Sequence, residues 1–316
     1  MQPPSLWEPQ GGSNDLLTLF QIFYSRHQPY DMERLVEFFS VFGGSTVAID
    51  IDAPIEHEIV SHILEDYGTF YNAMSELIVH DTTYAGLLRA IAKGDRRTHS
   101  AFRRARLGEQ KGNDALAFLI ELHLLERETS RETPLTKYAA HQKRPKAIAR
   151  HKISDKLRIT LPFVRFWFYF ISPHHHSIIN GDYEPFLEAF TTHQSSFCSY
   201  IYEQLNLYLL YQTFQDDPII DAKSYWDRQV EIDILALTQK MKSIVGECKW
   251  TNHKMNKKEW GKLKEKCALI GLRPEYTALF SKRGFSNELR SMQSSTLLLF
   301  EAHDLESLVH PLTYNA

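Results

Sequence analysis

The sequence predicts a multi-domain α+β and α/β chain: a helical segment, a winged helix-turn-helix and a C-terminal α/β domain. Three observations predict it. Through the first quarter, apolar residues recur at spacings of three and four, as in LLTLFQIF and MERLVEFFSVF. In the next stretch three short helical patterns precede two strand-like ones, the order of a winged helix. After Pro218 the apolar period drops to two, and strands alternate with helices.

The elements follow in order. Residues 1–14 are rich in Pro, Gly and Gln and read as a tail. The helical segment covers 15–81, with Gly43-Gly44 stopping its second helix and IEHEIVSHILEDYG and FYNAMSELI as two more. The winged unit covers 82–158. TYAGLLRAIAKGD, THSAFRRARLG and GNDALAFLIELHLLERE are its helices, the third capped by Asn113 or Asp114. LLERETS is a first wing strand, and a second lies in IARHKISDKLRIT. The third unit covers 159–316. LPFVRFWFYFISP, YEPFLEAF and FCSYIYEQLNLYLLYQTF read as helices, with Phe166, Trp167, Phe168 and Phe170 as core and His174, His175 and His176 in a loop. SYWDRQVEIDILAL, KSIVGECKW, EYTALFSK and STLLLFEA read as strands, NKKEWGKLKEKCALIG as an amphipathic helix and DLESLV as a terminal one.

Composition narrows the function classes. The 316 residues are 43% hydrophobic and 24% charged, with a formal net charge of -3, so any nucleic-acid surface is local. The cysteines Cys198, Cys248 and Cys267 lack CxxC spacing, which argues against zinc and a disulfide framework. The N-terminus does not read as a signal peptide. The most apolar run, ITLPFVRFWFYFIS, is too short for a bilayer and contains Arg165. A cytoplasmic protein with no membrane partner is the expectation.

One local charge surplus is marked. Lys137, Lys143, Arg144, Lys146, Arg150, Lys152, Lys156 and Arg158 face only Asp155 between positions 137 and 158. Such a wing attracts a phosphate backbone without reading sequence. Lys257 and Lys258 open a second lysine-bearing stretch, continued by Lys262 and Lys266, and are candidate DNA-facing contacts.

The chemistry concentrates in the last unit. In VEIDILAL, alternation sets Glu231 and Asp233 on one face and Ile232 and Ile234 on the other; in SIVGECKW it sets Glu247 and Lys249 together. Two adjacent strands would thus hold an Asp, a Glu and a Lys around one point. Carboxylate oxygens suit Mg²⁺, and a lysine beside the metal orients a water or stabilises developing charge.

An Asp followed by Glu-x-Lys on the next strand, ahead of a Lys-rich helix, resembles the PD-(D/E)xK nuclease superfamily. HKISDKLRITLPFVRFWFYFISP, YWDRQVEIDILA and GECKW resemble more narrowly the C-terminal domain of unknown function carried by archaeal and bacterial AAA-type ATPases. In those proteins a winged helix precedes the domain, and TYAGLLRAIAKGD, THSAFRRARLG and LAFLIELHLLERE are similar to it. LVEFFSVFGG resembles the ATPase lid segment, so the resemblance runs from about Asp31 onward. It implies a lid-like segment, a winged helix and a restriction-endonuclease-like domain that binds DNA. It also implies catalysis by Asp233, Glu247 and Lys249 with Mg²⁺ or Mn²⁺ held by Asp233 and Glu247. Two departures stand out. GxxxxGK[ST] is absent, so no nucleotide is expected and a separately encoded ATPase is a candidate partner. Where the family often has Phe-Glu, this chain has Phe197-Cys198; Glu203, five residues on, is a candidate third metal ligand. The alternative expectation is a non-catalytic DNA-binding or adaptor protein that keeps the fold.

Overall fold

A computed structural model describes residues 15–28, 31–130, 154–227 and 229–309. The basic residues Lys143, Arg144, Lys146, Arg150 and Lys152 lie outside the described residues. Contacts group the chain into two compact units. One comprises Met1–Glu128, Lys156–Ile201 and Leu308–Ala316; the other comprises Thr129–Asp155 and Tyr202–Ser307. The expected boundary at 158/159 falls inside the first of these.

The first unit is mainly helical. Helices α1 (Leu16–His27), α2 (Met32–Phe42), α3 (Ile55–Ile59, extended by a π turn to Leu64) and α4 (Tyr67–Leu77) bury the spaced apolar residues. Phe20, Leu35, Val36, Phe39 and Phe42 are fully enclosed. Asp15 and Asp31 cap α1 and α2 by accepting the amides of Thr18 and Glu33 at 3.2 and 2.9 Å. Then come α5 (Thr82–Lys93), α6 (Thr98–Arg104) and α7 (Glu109–Glu121). Strands β1 (Leu125–Glu128) and β2 (Lys156–Ile159) pair antiparallel, with Leu125 opposite Ile159.

Helix α7 starts earlier than expected: Asn113 and Asp114 lie inside it, and Gly108 is the cap. Gly112 is the reason the sequence misleads. A Cβ there would stand 2.7 Å from the Phe102 ring, so this glycine serves the close approach of α6 and α7 rather than a helix start.

Helix α8 (Pro162–Phe166) continues through a π turn and a short 3-10 turn into α9 (His175–Ile179). Phe166, Trp167, Phe168 and Phe170 are core, as expected. The histidines are not in a loop. His174 ends the 3-10 turn, His175 and His176 open α9, and His175 Nδ1 lies 2.5 Å from the Tyr67 hydroxyl. Where two helices were expected next, there is one of 30 residues, α10 (Glu184–Thr213). Its residues up to Ile201 belong to the first unit, and those from Tyr202 to the second.

The second unit is a five-stranded mixed sheet in the order β3-β4-β5-β6-β7. Strands β3 (Ile219–Trp226), β4 (Glu231–Thr238) and β5 (Ser243–Lys249) are antiparallel neighbours. Helix α11 (Lys257–Leu269) leads to β6 (Tyr276–Ser281), parallel to β5. The short helix α12 (Asn287–Ser291) leads to β7 (Leu297–Glu301), parallel to β6. A final 3-10 turn runs into α13 (Glu306–Val309). The expected single strand SYWDRQVEIDILAL is two strands. Asp227 breaks it by accepting the amides of Gln229 and Val230 at 2.7 Å each, a turn fixed by one carboxylate. Ile232, Leu235, Val245, Leu263, Cys267 and Leu279 form one core cluster under α11.

Candidate functional site

Adjacent strands bring the candidate residues together. Ile234 pairs with Gly246 at the end of the β4–β5 ladder, and Asp233 and Glu247 are the next residues on their strands. The Cys248 amide donates to Asp233 Oδ2 at 2.8 Å, tying the Asp233 carboxylate to β5. Gly246 keeps the strands this close. A Cβ there would approach the Ile234 Cβ at 3.0 Å and the Phe280 ring at 3.3 Å.

The alternation is less regular than the sequence suggests. Lys223 pairs with Leu235, but Tyr225 pairs with Ile232, so β4 spends three positions where β3 spends two. The extra residue lies at Asp233–Ile234. It turns Ile232 into the cluster that holds Leu235 and Val245, whereas Ile234 packs on Gly246. The expectation that Ile232 and Ile234 share a face is therefore overturned. A bulge of this kind re-aims side chains locally.

Glu247 is buried, and both of its oxygens are engaged. Lys249 Nζ lies 2.6 Å from Oε1 and Lys266 Nζ lies 2.7 Å from Oε2. Lys266 comes from α11 and was not singled out by the strand motif. A signal for it existed: Lys258, Lys262 and Lys266 follow at i, i+4 and i+8, each just before Glu259, Leu263 and Cys267, of which Leu263 and Cys267 are buried.

Burial, and then the charge of Glu247, push the Asp233 carboxyl up to about 6 despite the Cys248 amide and the two lysines. Burial works against the Lys249 ammonium, but its hydrogen bond to Glu247 and the charges of Glu247 and Asp233 outweigh this and hold its pKa above the ordinary lysine value. Burial, then the charges of Asp233, Glu203 and Glu247, push the Cys248 thiol well up, so it stays protonated and is no nucleophile. Glu203 on α10 is thus within electrostatic reach of this part of the sheet. Among the described residues, no group of three or more His, Cys, Asp or Glu side chains has the geometry to hold a metal. Asp233 and Glu247 supply carboxylate oxygens, the donor type that an ion such as Mg²⁺ takes from one or two residues while keeping several waters.

The other candidates are dispersed. Lys257 makes an exposed ion pair with Glu288 at 2.9 Å, and Lys258 is exposed. Cys198 is fully buried in the part of α10 that belongs to the first unit. No helix among the described residues is long and apolar enough to cross a membrane.

Residues 167–263 match the DUF234 family, described as archaea bacterial proteins of unknown function. The match includes Asp233, Glu247 and Lys249 and stops short of Lys266. No curated protein matches the chain. Among solved structures, the crystal structure of protein VC1899 from Vibrio cholerae aligns at 14% identity with a TM-score of 0.26. That alignment covers 75% of this chain and 53% of the other, so this chain spans about half its length.

Proposed function

We propose that the second unit is a restriction-endonuclease-like domain with a Mg²⁺- or Mn²⁺-dependent phosphodiesterase site acting on DNA. The observation that carries this is the convergence of Asp233, Glu247 and Lys249, with Asp233 tied to β5 and Lys249 bonded to Glu247. Asp233 and Glu247 would hold the ion, which when bound polarises the phosphate and acidifies a water. Lys249 stays charged and presents its ammonium beside the carboxylates, where it orients the attacking water and stabilises charge growing on the phosphate. The Cys248 amide fixes the Asp233 carboxylate, so one ligand is held before substrate arrives. Helices α5–α7 with β1 and β2 form the winged helix of this reading, and the basic residues between the two strands contact phosphates.

Cleavage of plasmid and oligonucleotide DNA with Mg²⁺ or Mn²⁺ tests the proposal. Lys249→Ala should lower the rate by about 10²–10³ while DNA binding survives. Asp233→Ala should be at least as damaging. Wild-type protein that cuts neither DNA nor RNA with either ion would sink the catalytic reading. A second reading has its own support: Cys198 stands where the resembling family often has Glu, and both Glu247 oxygens are already neutralised by lysines. In that reading the chain is a non-catalytic DNA-binding or adaptor protein, or the partner of a separately encoded ATPase. Glu203→Ala separates two forms of an active site, because a large loss would make Glu203 the missing glutamate's replacement.

A further inference from the structure

We propose that Lys266 is a displaceable clamp on Glu247: it holds the carboxylate in the metal-free protein and competes with a divalent cation for it. The inference rests on the metal-site reading above and adds a residue that the strand motif does not contain.

Both oxygens of a buried carboxylate are saturated, one by Lys249 at 2.6 Å and one by Lys266 at 2.7 Å. An unpaired carboxylate at 6% exposure would be costly, and the two ammoniums offset that cost. Two carboxylates and two ammoniums also sum to no net charge. A cation entering between Asp233 and Glu247 meets a site that is already balanced, and it gains attraction only where an ammonium withdraws.

Geometry points to Lys266 as the one that yields. Lys249 is carried on the same strand two positions from Glu247, and it also feels the Asp233 charge. Lys266 reaches in from another element on a flexible four-carbon stem. Exposure does not separate the two ammoniums, at 37% for Lys249 and 30% for Lys266; what separates them is that Lys249 is fixed by the strand that carries Glu247 and Lys266 is not. Lys262 and Lys258, one and two turns back on the same flank of α11, are exposed, so a released ammonium has a solvated flank to join.

The test is Mn²⁺ binding to the full chain at fixed pH, followed by electron paramagnetic resonance of the free ion and by calorimetry, with no nucleic acid present. Lys266→Met should bind Mn²⁺ at least about tenfold more tightly than wild type. Lys266→Arg, which preserves the clamp, should stay near wild type, and Asp233→Asn should lose binding in either background. Lys266→Gln replaces the Met variant if that one fails to fold. Binding that depends on Asp233 but is equal or weaker in Lys266→Met would overturn the clamp and leave the metal reading standing. Absence of Mn²⁺ binding in wild type and in every Lys266 variant would remove both.

Discussion

Asp233 carries the most informative perturbed carboxyl in the chain. Its folded-state pKa of about 6 lies above the ordinary carboxylate value because burial, then Glu247, disfavour the charge. A raised pKa means the folded chain binds this proton more tightly than the unfolded one. The contribution to stability is present below the unfolded value and is lost as pH rises through about 6. Asp233→Asn should therefore stabilise the metal-free protein above pH 6, on the order of 2–3 kcal/mol, with the gain fading toward pH 4. Denaturant unfolding across that range measures it; a variant less stable than wild type at about pH 8 would mean the lysines more than offset the burial cost. At this scale the sequence is partly legible. Glu-x-Lys on one strand and Asp on the strand before are local patterns, and alternation alone sets Glu247 beside Lys249. Lys266 escapes the strand pattern because its partner is 19 positions away on another element. Ile232 escapes because a register shift depends on what β3 does alongside.

Elements were legible where a period or a breaker was strong and failed where a side chain made the difference. Helix α10 looked like two because TTHQSS, between Phe190 and Phe197, is polar. It contains no Gly or Pro, and the helix runs on through a stretch where five of the six residues are exposed. Strands β3 and β4 looked like one because the Asp227 turn is written in hydrogen bonds, not hydropathy. The β4–β5 pair gives an element-scale prediction. Gly246→Ala places a methyl 3.0 Å from the Ile234 Cβ, beside the bulge that aims Asp233. It should cost about 1–3 kcal/mol in denaturant unfolding and weaken Mn²⁺ binding together. Unchanged stability would mean that the two strands part without strain.

At the scale of the whole molecule, the helical and α/β character follows from periodicity, whereas the strand directions of the sheet and the grouping into two units do not. At the two ends of the stretch between β1 and β2, Ser130 Oγ accepts from the Trp226 amide at 2.9 Å and the Ser154 carbonyl from the Trp226 indole at 3.1 Å, and no local composition announces a partner so far downstream. The basic residues of this stretch give the last prediction. Neutralising Arg144, Lys146 and Arg150 together should weaken duplex binding and flatten its salt dependence by up to about 2–3 in log–log slope. Affinity titrations over a range of salt measure this, and an unchanged slope would assign these charges to solvent. The division into units also bears on time. The chain passes between them at 128/129, 155/156, 201/202 and 307/308, so each is assembled from separated stretches. Gln21 Nε2 donates to the Leu308 carbonyl at 2.7 Å across 287 positions. On a ribosome adding about 5–20 residues per second, α1 waits roughly 15–60 s for that partner to be made. The sheet strands from β3 onward are contiguous and need no such wait. The unit whose helices emerge first is thus closed no sooner than the other, and its early helices pass through synthesis without one of their fastenings.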